Sequence, residues 1–480
     1  MYNHSVTDSC SAVALCIDCD GTLIRSDLLH ESILLMLKGA PWKLLMLPIW
    51  LARGKAYMKQ RIAESVSFDW ATIPVREEVL ALVLAARESG RHTVLATASD
   101  VVLAQGLADH LGVFEEVIAS DGRINLSGRL KAEKLCQRFG ARGFDYAGDS
   151  SIDLPVWAVS RRAVVVSASA TLISAVSKLI EIEAIITPRR PRLSTYMRGL
   201  RLHQWIKNLL VFVPLVAAHQ LSSLQGLAQG AIAFASFSLC ASAVYVLNDL
   251  LDLDADRCHV RKCNRPFASA LIPVWHGVAL IPLLLLASLA LAALLPIEFV
   301  LVLTFYFILT LSYSLLLKRQ VIVDVLLLAS LYTLRVIAGG AATAIFPSFW
   351  LLAFSMFLFL SLAMVKRYSE LLITLQQRRS TAAGRGYVVE DLPQLMSIGT
   401  SSGMVAVLVF SLYINNPDIK TLYEQPLWLW LVPPLLLYWI SRLWMKAQRG
   451  QVDDDPLVFA LRDWQSVVVF LISGLCFLLA

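Results

Sequence analysis

The stretch NDLLDLDAD at residues 248–256 places four acidic side chains at the end of a long apolar run, residues 231–247. A basic segment, residues 257–265, follows it directly. Acidic side chains at the border of a segment that is apolar enough to cross a bilayer are costly unless cations lie among them. The stretch therefore indicates a cation-binding site at a membrane surface.

On a helix, Asn248, Asp252 and Asp256 recur every four residues and share one face, and Asp249 lies beside them. Oxygen ligands grouped in this way suit one or two Mg²⁺ ions, which usually carry substrate phosphates. A solvated helix end with charge contacts between neighbouring turns is the alternative interpretation. Asp254 is expected to be solvated.

The two parts of this 480-residue chain differ in composition. Residues 1–190 are an ordinary soluble mixture, whereas residues 203–480 are dominated by apolar runs of about 20 residues, the length that crosses a bilayer. The second part is therefore predicted to be an all-α polytopic membrane domain. Its nine predicted spans lie near 204–220, 229–247, 274–294, 297–317, 321–345, 348–367, 395–414, 427–446 and 464–480.

Charges are placed asymmetrically along the predicted membrane domain. Nearly all loop lysines and arginines fall on the side that carries the N-terminal domain, and the loops of the other side hold only Lys420. Most acidic residues lie at the same face, whereas a pore or transporter would place them along a path through the membrane. This pattern predicts chemistry on a head group at the inner face. The net charge of +6 is small and gathers at span ends, which argues against nucleic-acid binding.

The N-terminus lacks the basic and apolar regions of a secretory signal. We therefore expect a multi-pass protein of the inner (plasma) membrane, with the first domain and the reactive groups on the cytoplasmic side. The eight cysteines are scattered, which predicts free thiols in a reducing compartment rather than disulfides or a zinc site.

The N-terminal part alternates short apolar strands with helical patterns such as 77–88 and 131–139, which predicts a doubly wound α/β sheet. Asp18 and Asp20 follow the first strand, at the carboxyl end where open α/β sheets bind ligands. One carboxylate of such a pair can attack phosphorus while the other donates and accepts the proton. The predicted strands are 12–17, 91–96, 116–119, 145–147 and 163–166.

Over residues 12–175 the sequence resembles the haloacid dehalogenase (HAD) superfamily of phosphatases, a fold with a Rossmann-like core. The resemblance implies that Asp18 is the nucleophile that forms an aspartyl phosphate and that Asp20 is the general acid and base. It also implies that Thr97 and Lys131 bind the phosphate. The implied Mg²⁺ ligands are Asp18, Asp20, Asp149 and Asp153. A retained but inactive domain that serves as a scaffold is the alternative.

Residues 26–74 are too long for a simple crossover, and in this superfamily such an insert is a helical cap that selects the substrate. Within it, residues 34–51 are strongly apolar but are interrupted by charged residues, glycine and proline. Helices lying in the membrane interface fit this pattern, with Lys38, Lys43 and Arg53 near lipid head groups. A buried cap core is the alternative. An interfacial cap would favour a lipid-linked phosphate as substrate.

Residues 203–480 resemble the UbiA-type superfamily of membrane prenyltransferases, through Asn248-Asp249-x-x-Asp252-x-x-x-Asp256 and the number of helices. The second Asp-rich motif of aromatic prenyltransferases is not evident, and the loop 317–323 is basic, which suits an anionic acceptor. Further motifs resemble the decaprenyl-phosphate phosphoribosyltransferase branch. They are Leu200-Arg201-x-x-Gln204-Trp205-x-Lys207-Asn208, Tyr313-Ser314-x-x-Leu317-Lys318, Asp324, Arg335-x-x-Ala338-Gly339, Lys366-Arg367-x-x-Glu370, Arg385-Gly386-Tyr387 and Asp455-Pro456-x-x-x-Ala460-x-x-Asp463.

That branch transfers 5-phosphoribosyl from phosphoribosyl pyrophosphate to a polyprenyl phosphate and releases diphosphate. The resemblance implies a Mg²⁺ site on Asn248, Asp249, Asp252 and Asp256, and it assigns Asp252 and Asp256 to catalysis. Candidate ligands of the polyprenyl phosphate are Lys207, Lys318 and Arg335, and those of the 5-phosphate are Lys366, Arg367 and Arg385. The remaining candidates for substrate binding are Asn208, Tyr313, Asp324 and Tyr387.

The resemblances divide the chain into a HAD-like phosphatase domain (1–180), a basic linker (181–202) and a UbiA-type domain (203–480). We expect a bifunctional enzyme of cell-envelope metabolism, whose HAD domain removes the 5-phosphate of the lipid product. One alternative is a prenyltransferase that moves a prenyl group from prenyl diphosphate to an aromatic or other small acceptor, beside a HAD domain of separate or regulatory role. A transporter or scaffold with a signalling HAD domain is another. Prenyl chain length and oligomeric state, a homo-oligomer included, stay open.

Overall fold

The structure is a computed structural model that describes residues 13–259, 261–376, 386–416, 423–452 and 455–480. The chain forms two compact units. One comprises Met1–Leu200 and Tyr245–Ile281, and the other comprises Arg201–Val244 and Pro282–Ala480. The segment that carries the Asp-rich motif thus groups with the N-terminal residues in the first unit.

The first unit contains a six-stranded parallel sheet in the order β3-β2-β1-β4-β5-β6. The five predicted strands are present, which confirms the predicted α/β class. The sixth strand lies in residues predicted as a linker. It was missed because its side chains alternate between half-buried and exposed, as at the edge of a sheet, unlike those of a buried strand. The strands are β1 (Ala14–Ile17), β2 (Thr93–Asp100), β3 (Glu116–Ser120), β4 (Phe144–Gly148), β5 (Ala163–Val166) and β6 (Ile182–Ile186).

Both faces of this sheet are covered by helices, as in most parallel sheets. Alternate residues of a strand point to opposite faces, so Leu15 and Ile17 enter one hydrophobic core, and Ala14 and Cys16 enter the other. The helices of this part are α1 (Leu28–Gly39), α2 (Leu47–Ala52), α3 (Lys55–Ala63), α4 (Glu77–Glu88), α5 (Val101–Leu111), α6 (Arg129–Phe139), α7 (Leu154–Val159), α8 (Ala170–Ser177) and α9 (Leu193–Gly199).

The predicted cap insert consists of α1, the 3-10 helix Pro41–Met46, α2, α3 and a second 3-10 helix, Trp70–Thr72. It has a small core of its own around Met36, Trp50 and Ile62. The apolar stretch 34–51 is thus divided between two roles. Part of it fills the cap core, and another part, which includes Trp42 and Leu45, is exposed.

The remaining helices are long and apolar. Among the described residues, seven helical segments are long and apolar enough to cross a membrane. The helices Pro456–Arg462 and Trp464–Leu479, bent by 83° at their junction, form an eighth if the pair is one span. The predicted span 204–220 is instead a 3-10 helix, Leu202–Phe212, followed by a short helix in which Pro214 supplies no amide hydrogen. These helices are α10 (Val213–Ala217), α11 (Leu224–Leu251), α12 (Leu253–Arg257), α13 (Val274–Ala292), α14 (Ile297–Leu315), α15 (Val323–Thr343), α16 (Phe349–Gln376), α17 (Leu392–Ile414), α18 (Val432–Gln448), α19 (Pro456–Arg462) and α20 (Trp464–Leu479).

Candidate active sites

The first candidate site lies at the carboxyl end of β1. This strand is central in the sheet, since it pairs with β2 on one side and β4 on the other. Residues that follow these three strands therefore meet at one edge, although they are far apart in the sequence. The edge gathers Asp18 and Asp20 after β1, Thr97 near the end of β2 and Asp149 after β4.

Lys131 connects the carboxylates of this edge. Its ammonium group donates to Asp18 Oδ1 over 2.7 Å and to the hydroxyl of Tyr146 over 3.0 Å. Tyr146 in turn donates to Asp153 Oδ1 over 2.8 Å. Burial acts to lower the pKa of Lys131, but the carboxylates of Asp18 and Asp153 raise it above its usual value. Lys131 therefore carries a fixed positive charge beside the predicted nucleophile.

Asp18, Asp149 and Asp153 form a group of acids that suits a divalent cation. Their carboxylate oxygens lie within 4.8 Å of one another. Gly21 has a φ of +76°, and a Cβ at this position would collide with the carboxylate of Asp149, so the turn leaves space next to the acids. Three convergent carboxylates match the oxygen ligands that Mg²⁺ prefers. The residues present therefore fit the implied metal.

Asp20, a further predicted metal ligand, is not in that group. Its Oδ1 accepts the amide hydrogen of Leu28 over 2.8 Å, and its Oδ2 accepts the hydroxyl of Ser99 over 2.6 Å. Burial raises the pKa of Asp20 to about 7, and it raises the pKa values of Asp18 and Asp149 to about 6 and about 8. A carboxyl group with a pKa near neutrality fits a general acid and base.

Like Tyr146, Ser99 and Lys59 belong to this site but were not predicted from the sequence. Ser99 bonds to Asp20, and its amide also donates to the hydroxyl of the fully buried Thr97 over 3.0 Å. Lys59, in cap helix α3, donates to the carbonyl of Ala98 and to Asn125 Oδ1 over 2.5 and 3.0 Å. Ser99 lies two residues after the predicted Thr97, but nothing in the sequence separates Lys59 from the other cap lysines.

The second candidate site contains the Asp-rich segment. Asp252 separates α11 from α12, yet the amide of Asp252 donates to the carbonyl of Asn248, and that of Asp256 donates to Asp252. The predicted four-residue repeat is therefore preserved across the break between the two helices. Asp249 and Asp256 are buried, each with 3% of its surface exposed.

A single guanidinium group joins these two buried acids. Arg265 Nη1 donates to Asp249 Oδ1 over 3.2 Å and to Asp256 Oδ2. Two carboxylates that converge on one cation offer oxygen ligands of the kind that Mg²⁺ prefers, so Asp249 and Asp256 fit the implied metal. Sequence reasoning assigned Arg265 only to the basic inner loops.

In the other unit, Lys207, Asn208 and Arg335 form a buried cluster. Lys207 is ion-paired with Asp455, and its ammonium group lies 5.8 Å from the centre of the Tyr332 ring. Arg335 Nε donates to Asn208 Oδ1 over 2.9 Å. The position of this cluster depends on Gly339, because a Cβ there would collide with the backbone of Val211.

Arg335 also donates to the hydroxyl of Tyr306 and to the carbonyl of Leu331. The centres of three aromatic rings lie within 5.4 Å of its guanidinium carbon. These contacts occupy Nε, Nη1 and Nη2 with groups of the protein itself. The structure thus shows Arg335 bonded to Asn208, and its predicted role as a phosphate ligand stays a prediction.

Asp324, Arg367 and Tyr387 form a second buried network in this unit. Arg367 Nη2 lies 2.8 Å from Asp324 Oδ2, Tyr387 donates to Asp324 Oδ1 over 2.5 Å, and Arg367 also pairs with Glu370. The Tyr387 hydroxyl accepts the amide hydrogen of Ile322 over 2.9 Å. The network thus holds the end of the loop that carries Lys318.

The remaining candidates are distributed as follows. Lys318, Tyr313 and Lys366 are half-buried. Gly386 packs against the backbone of Arg319, where a Cβ would collide with the Arg319 carbonyl. Arg385 lies outside the described residues.

Two protein families match this chain. Residues 15–157 match the haloacid dehalogenase-like hydrolases. Residues 209–472 match the UbiA prenyltransferase family. The first match covers the candidate site after β1, and the second covers the Asp-rich segment and almost all of the transferase candidates.

Several curated proteins are similar to this chain. An uncharacterized protein, y4nM of Sinorhizobium fredii, is 35% identical over 97% of this chain and 90% of its own length. The nodulation protein NoeC of Azorhizobium caulinodans is 34% identical over 59% of this chain and 93% of its own length. The decaprenyl-phosphate phosphoribosyltransferase of Mycolicibacterium smegmatis is 30% identical, over 59% of this chain and 91% of its own length.

Proposed function

Because the chain belongs to the UbiA prenyltransferase family and carries a haloacid dehalogenase-like hydrolase domain, we propose that it is a bifunctional enzyme of lipid-linked ribose synthesis. Its membrane domain transfers 5-phosphoribosyl from phosphoribosyl pyrophosphate to a polyprenyl phosphate. Its HAD domain then removes the 5-phosphate from the product. The observation that carries the proposal is the similarity to nearly the whole length of a decaprenyl-phosphate phosphoribosyltransferase.

The Asp-rich segment is the proposed site of the departing diphosphate. A Mg²⁺ ion held by Asn248, Asp249, Asp252 and Asp256 would neutralise the charge that develops on this leaving group. The attacking oxygen of the polyprenyl phosphate is already ionised, so the transfer needs no strong base. Arg265, which bonds to two of these acids, adds a fixed positive charge at the same place.

Basic residues of the other unit are the proposed ligands of the two anionic substrates. Lys207 and Lys318 carry the positive charge that a lipid phosphate requires. Arg367 is tied into its buried network with Asp324, so its role is to hold the Lys318 loop, and Lys366 is the better candidate for the 5-phosphate. Arg335 acts through Asn208.

The HAD domain contains the groups that phosphate-ester hydrolysis needs. Asp18 attacks the phosphorus atom, and Lys131 neutralises charge on the phosphoryl group beside it. Asp20, with its raised pKa, protonates the leaving sugar oxygen and then removes a proton from the attacking water. The group of Asp18, Asp149 and Asp153 would hold Mg²⁺, which supplies further charge neutralisation.

The exposed apolar face of the cap favours a substrate that is attached to a lipid. Trp42, Leu45 and Leu51 are 66%, 79% and 54% exposed, although all three are apolar. Exposed apolar side chains next to lysines such as Lys38 and Lys43 are typical of helices that lie in a lipid interface. We propose that this face of the cap inserts into the cytoplasmic surface of the inner membrane.

The experiment incubates membranes that contain the protein with labelled phosphoribosyl pyrophosphate, polyprenyl phosphate and Mg²⁺. We expect labelled polyprenyl-phosphoryl ribose without a 5-phosphate. The Asp18→Asn variant should accumulate the 5-phosphorylated lipid instead. Absence of labelled lipid would overturn the transferase proposal, and unchanged products in the variant would overturn the phosphatase proposal. Consumption of a prenyl diphosphate with a neutral acceptor would identify the chain as an ordinary prenyltransferase.

A further inference from the structure

Glu31 and Arg257 form a buried ion pair between the cap and the Asp-rich segment. Arg257 Nη1 donates to Glu31 Oε2 over 2.8 Å, and Nη2 donates to Glu31 Oε1 over 2.7 Å. Only 4% of the Glu31 side chain and 6% of the Arg257 side chain are exposed. Two parallel hydrogen bonds fix the orientation of both groups as well as their distance.

A hydrophobic core joins the same two segments as this pair. Leu34, three residues after Glu31 in α1, belongs to a hydrophobic core with Leu250, Leu253, Phe267 and Ile272. These residues come from the cap on one side and from the segment around the Asp-rich motif on the other. Both belong to the first compact unit of the chain.

The short helix α12 depends on such contacts for its position. It has only five residues, Leu253–Arg257, and an isolated helix of this length is not stable in water. Arg257 is also held by the carbonyl of Ala268, to which its Nε donates over 3.2 Å. Asp256, one of the two acids bonded to Arg265, directly precedes Arg257. The contacts of Arg257 with Glu31 and Ala268 therefore also restrict the position of Asp256.

Helix α1 connects this pair to the phosphatase site as well. The helix begins at Leu28, whose amide donates to Asp20, the proposed general acid. Glu31 follows one turn later. The same helix thus contacts the reactive groups of one activity at its start and the cation-binding segment of the other further along.

We propose that Glu31 is a positioning residue for the cation site of the transferase: it holds Arg257 and α12 so that Asp256 and Asp249 converge on one cation. This inference rests on the metal role of the Asp-rich segment in the proposed function. It makes the cap of the HAD domain a structural part of the transferase, independent of phosphatase catalysis. A general stabilising contact, by contrast, would alter unfolding without altering the affinity for metal.

The test measures Mn²⁺ binding to the purified full-length protein in detergent by electron paramagnetic resonance. All proteins in this test carry Asp149→Asn, which removes the metal site of the HAD domain. A double variant, Asp149→Asn with Asp256→Asn, then shows how much of the remaining Mn²⁺ binding belongs to the Asp-rich segment. In the Asp149→Asn protein, Glu31→Gln should weaken Mn²⁺ binding about tenfold or more, as losses of residues that orient metal ligands do. Hydrogen exchange of the amides in α12 should become faster in the same variant.

Glu64→Gln is the matched control, because Glu64 is a cap glutamate whose ion pair with Arg61 is exposed. We expect it to leave Mn²⁺ binding unchanged. Glu31→Asp keeps the negative charge and replaces Glu31→Gln in the test if that variant does not fold. It should show a smaller loss of Mn²⁺ affinity. The exchanged pair, Glu31→Arg with Arg257→Glu, should recover part of the affinity.

Unchanged Mn²⁺ affinity in a folded Glu31→Gln or Glu31→Asp protein would overturn the proposal, as would an equal loss in Glu64→Gln. The titration needs neither phosphoribosyl pyrophosphate nor polyprenyl phosphate. Failure of the labelled-donor assay would therefore leave this inference standing. Full Mn²⁺ binding in the Asp256→Asn protein would overturn both the inference and the proposed metal role.

Discussion

Arg265 Nη1 lies 3.2 Å from Asp249 Oδ1 and is also bonded to Asp256, so one guanidinium group separates two buried carboxylates. The guanidinium group holds the two acids close to each other. A cation that binds there must share the carboxylates with Arg265. The arginine is therefore expected to affect both the stability of the segment and its response to metal.

Arg265→Gln should destabilise the protein in the presence of a chelator, by about 2 kcal/mol, since hydrogen bonds to charged groups are lost and two buried acids repel each other. Added Mg²⁺ should restore more stability to the variant than to the wild type. Thermal unfolding in detergent with and without Mg²⁺ measures both effects. An equal response of the two proteins to Mg²⁺ would contradict the expectation.

Arg335 and Lys207 are expected to act differently, although both were predicted as phosphate ligands. Arg335→Met should lower the free energy of unfolding by about 2–4 kcal/mol, because it leaves buried polar groups of Asn208 and Tyr306 without their donor. The protein that still folds should keep the KM for polyprenyl phosphate. Lys207→Met should raise that KM. A raised KM in folded Arg335→Met would restore the predicted role in phosphate binding.

The exposed face of the cap should matter only for substrates in a membrane. Leu45→Glu places a charge where an apolar side chain is 79% exposed, and hydrolysis of the lipid-borne phosphate in vesicles should fall about tenfold. Hydrolysis of the soluble ester p-nitrophenyl phosphate should not change. Leu84→Glu, on an exposed leucine of α4, is the control. Equal losses on both substrates would show that Leu45 serves the fold of the cap.

His92 is expected to make the stability of the HAD domain depend on pH. Its Nδ1 lies 2.7 Å from Glu115 and its Nε2 lies 3.1 Å from Glu116, which Arg138 also contacts. Burial acts to lower the pKa of His92, but hydrogen bonds with the two glutamates raise it above its usual value.

Because the folded pKa is raised, the contribution of His92 is complete below its unfolded pKa of about 6.5 and is lost as the pH rises through the folded value. The side chain is 33% exposed, so we expect only about 0.5 kcal/mol. His92→Gln should lower the melting temperature at pH 5.5 and have almost no effect at pH 8.5. A larger effect at pH 8.5 would contradict this sign.

Local patterns in the sequence predicted most of the fold. The apolar strand before Asp18 and the long apolar helices could be recognised because burial on both sheet faces, or in lipid, requires runs of apolar residues of characteristic length. The edge strand β6 was missed because only part of it is buried. The segment 204–220 was predicted as one span because its composition is apolar, although it is divided into two short helices.

Part of each candidate site could be anticipated. The HAD resemblance grouped Asp18, Lys131, Asp149 and Asp153, and the structure brings these side chains together, while their roles stay predictions. The sequence assigned Arg335 and Arg367 to substrate, whereas their guanidinium groups contact Asn208 and Asp324. Charge type is visible in a sequence, but the partner of a charge is not.

The sequence by itself determined the α/β and membrane-helical classes, the order of the strands along the chain and the spacing of the Asp-rich motif. The tertiary structure alone decided that Glu31 pairs with Arg257 and that Arg265 lies between Asp249 and Asp256. The reason is physical. Periodicity and spacing act over a few residues, whereas the two groups of a buried ion pair are brought together by the packing of helices that are distant in the sequence.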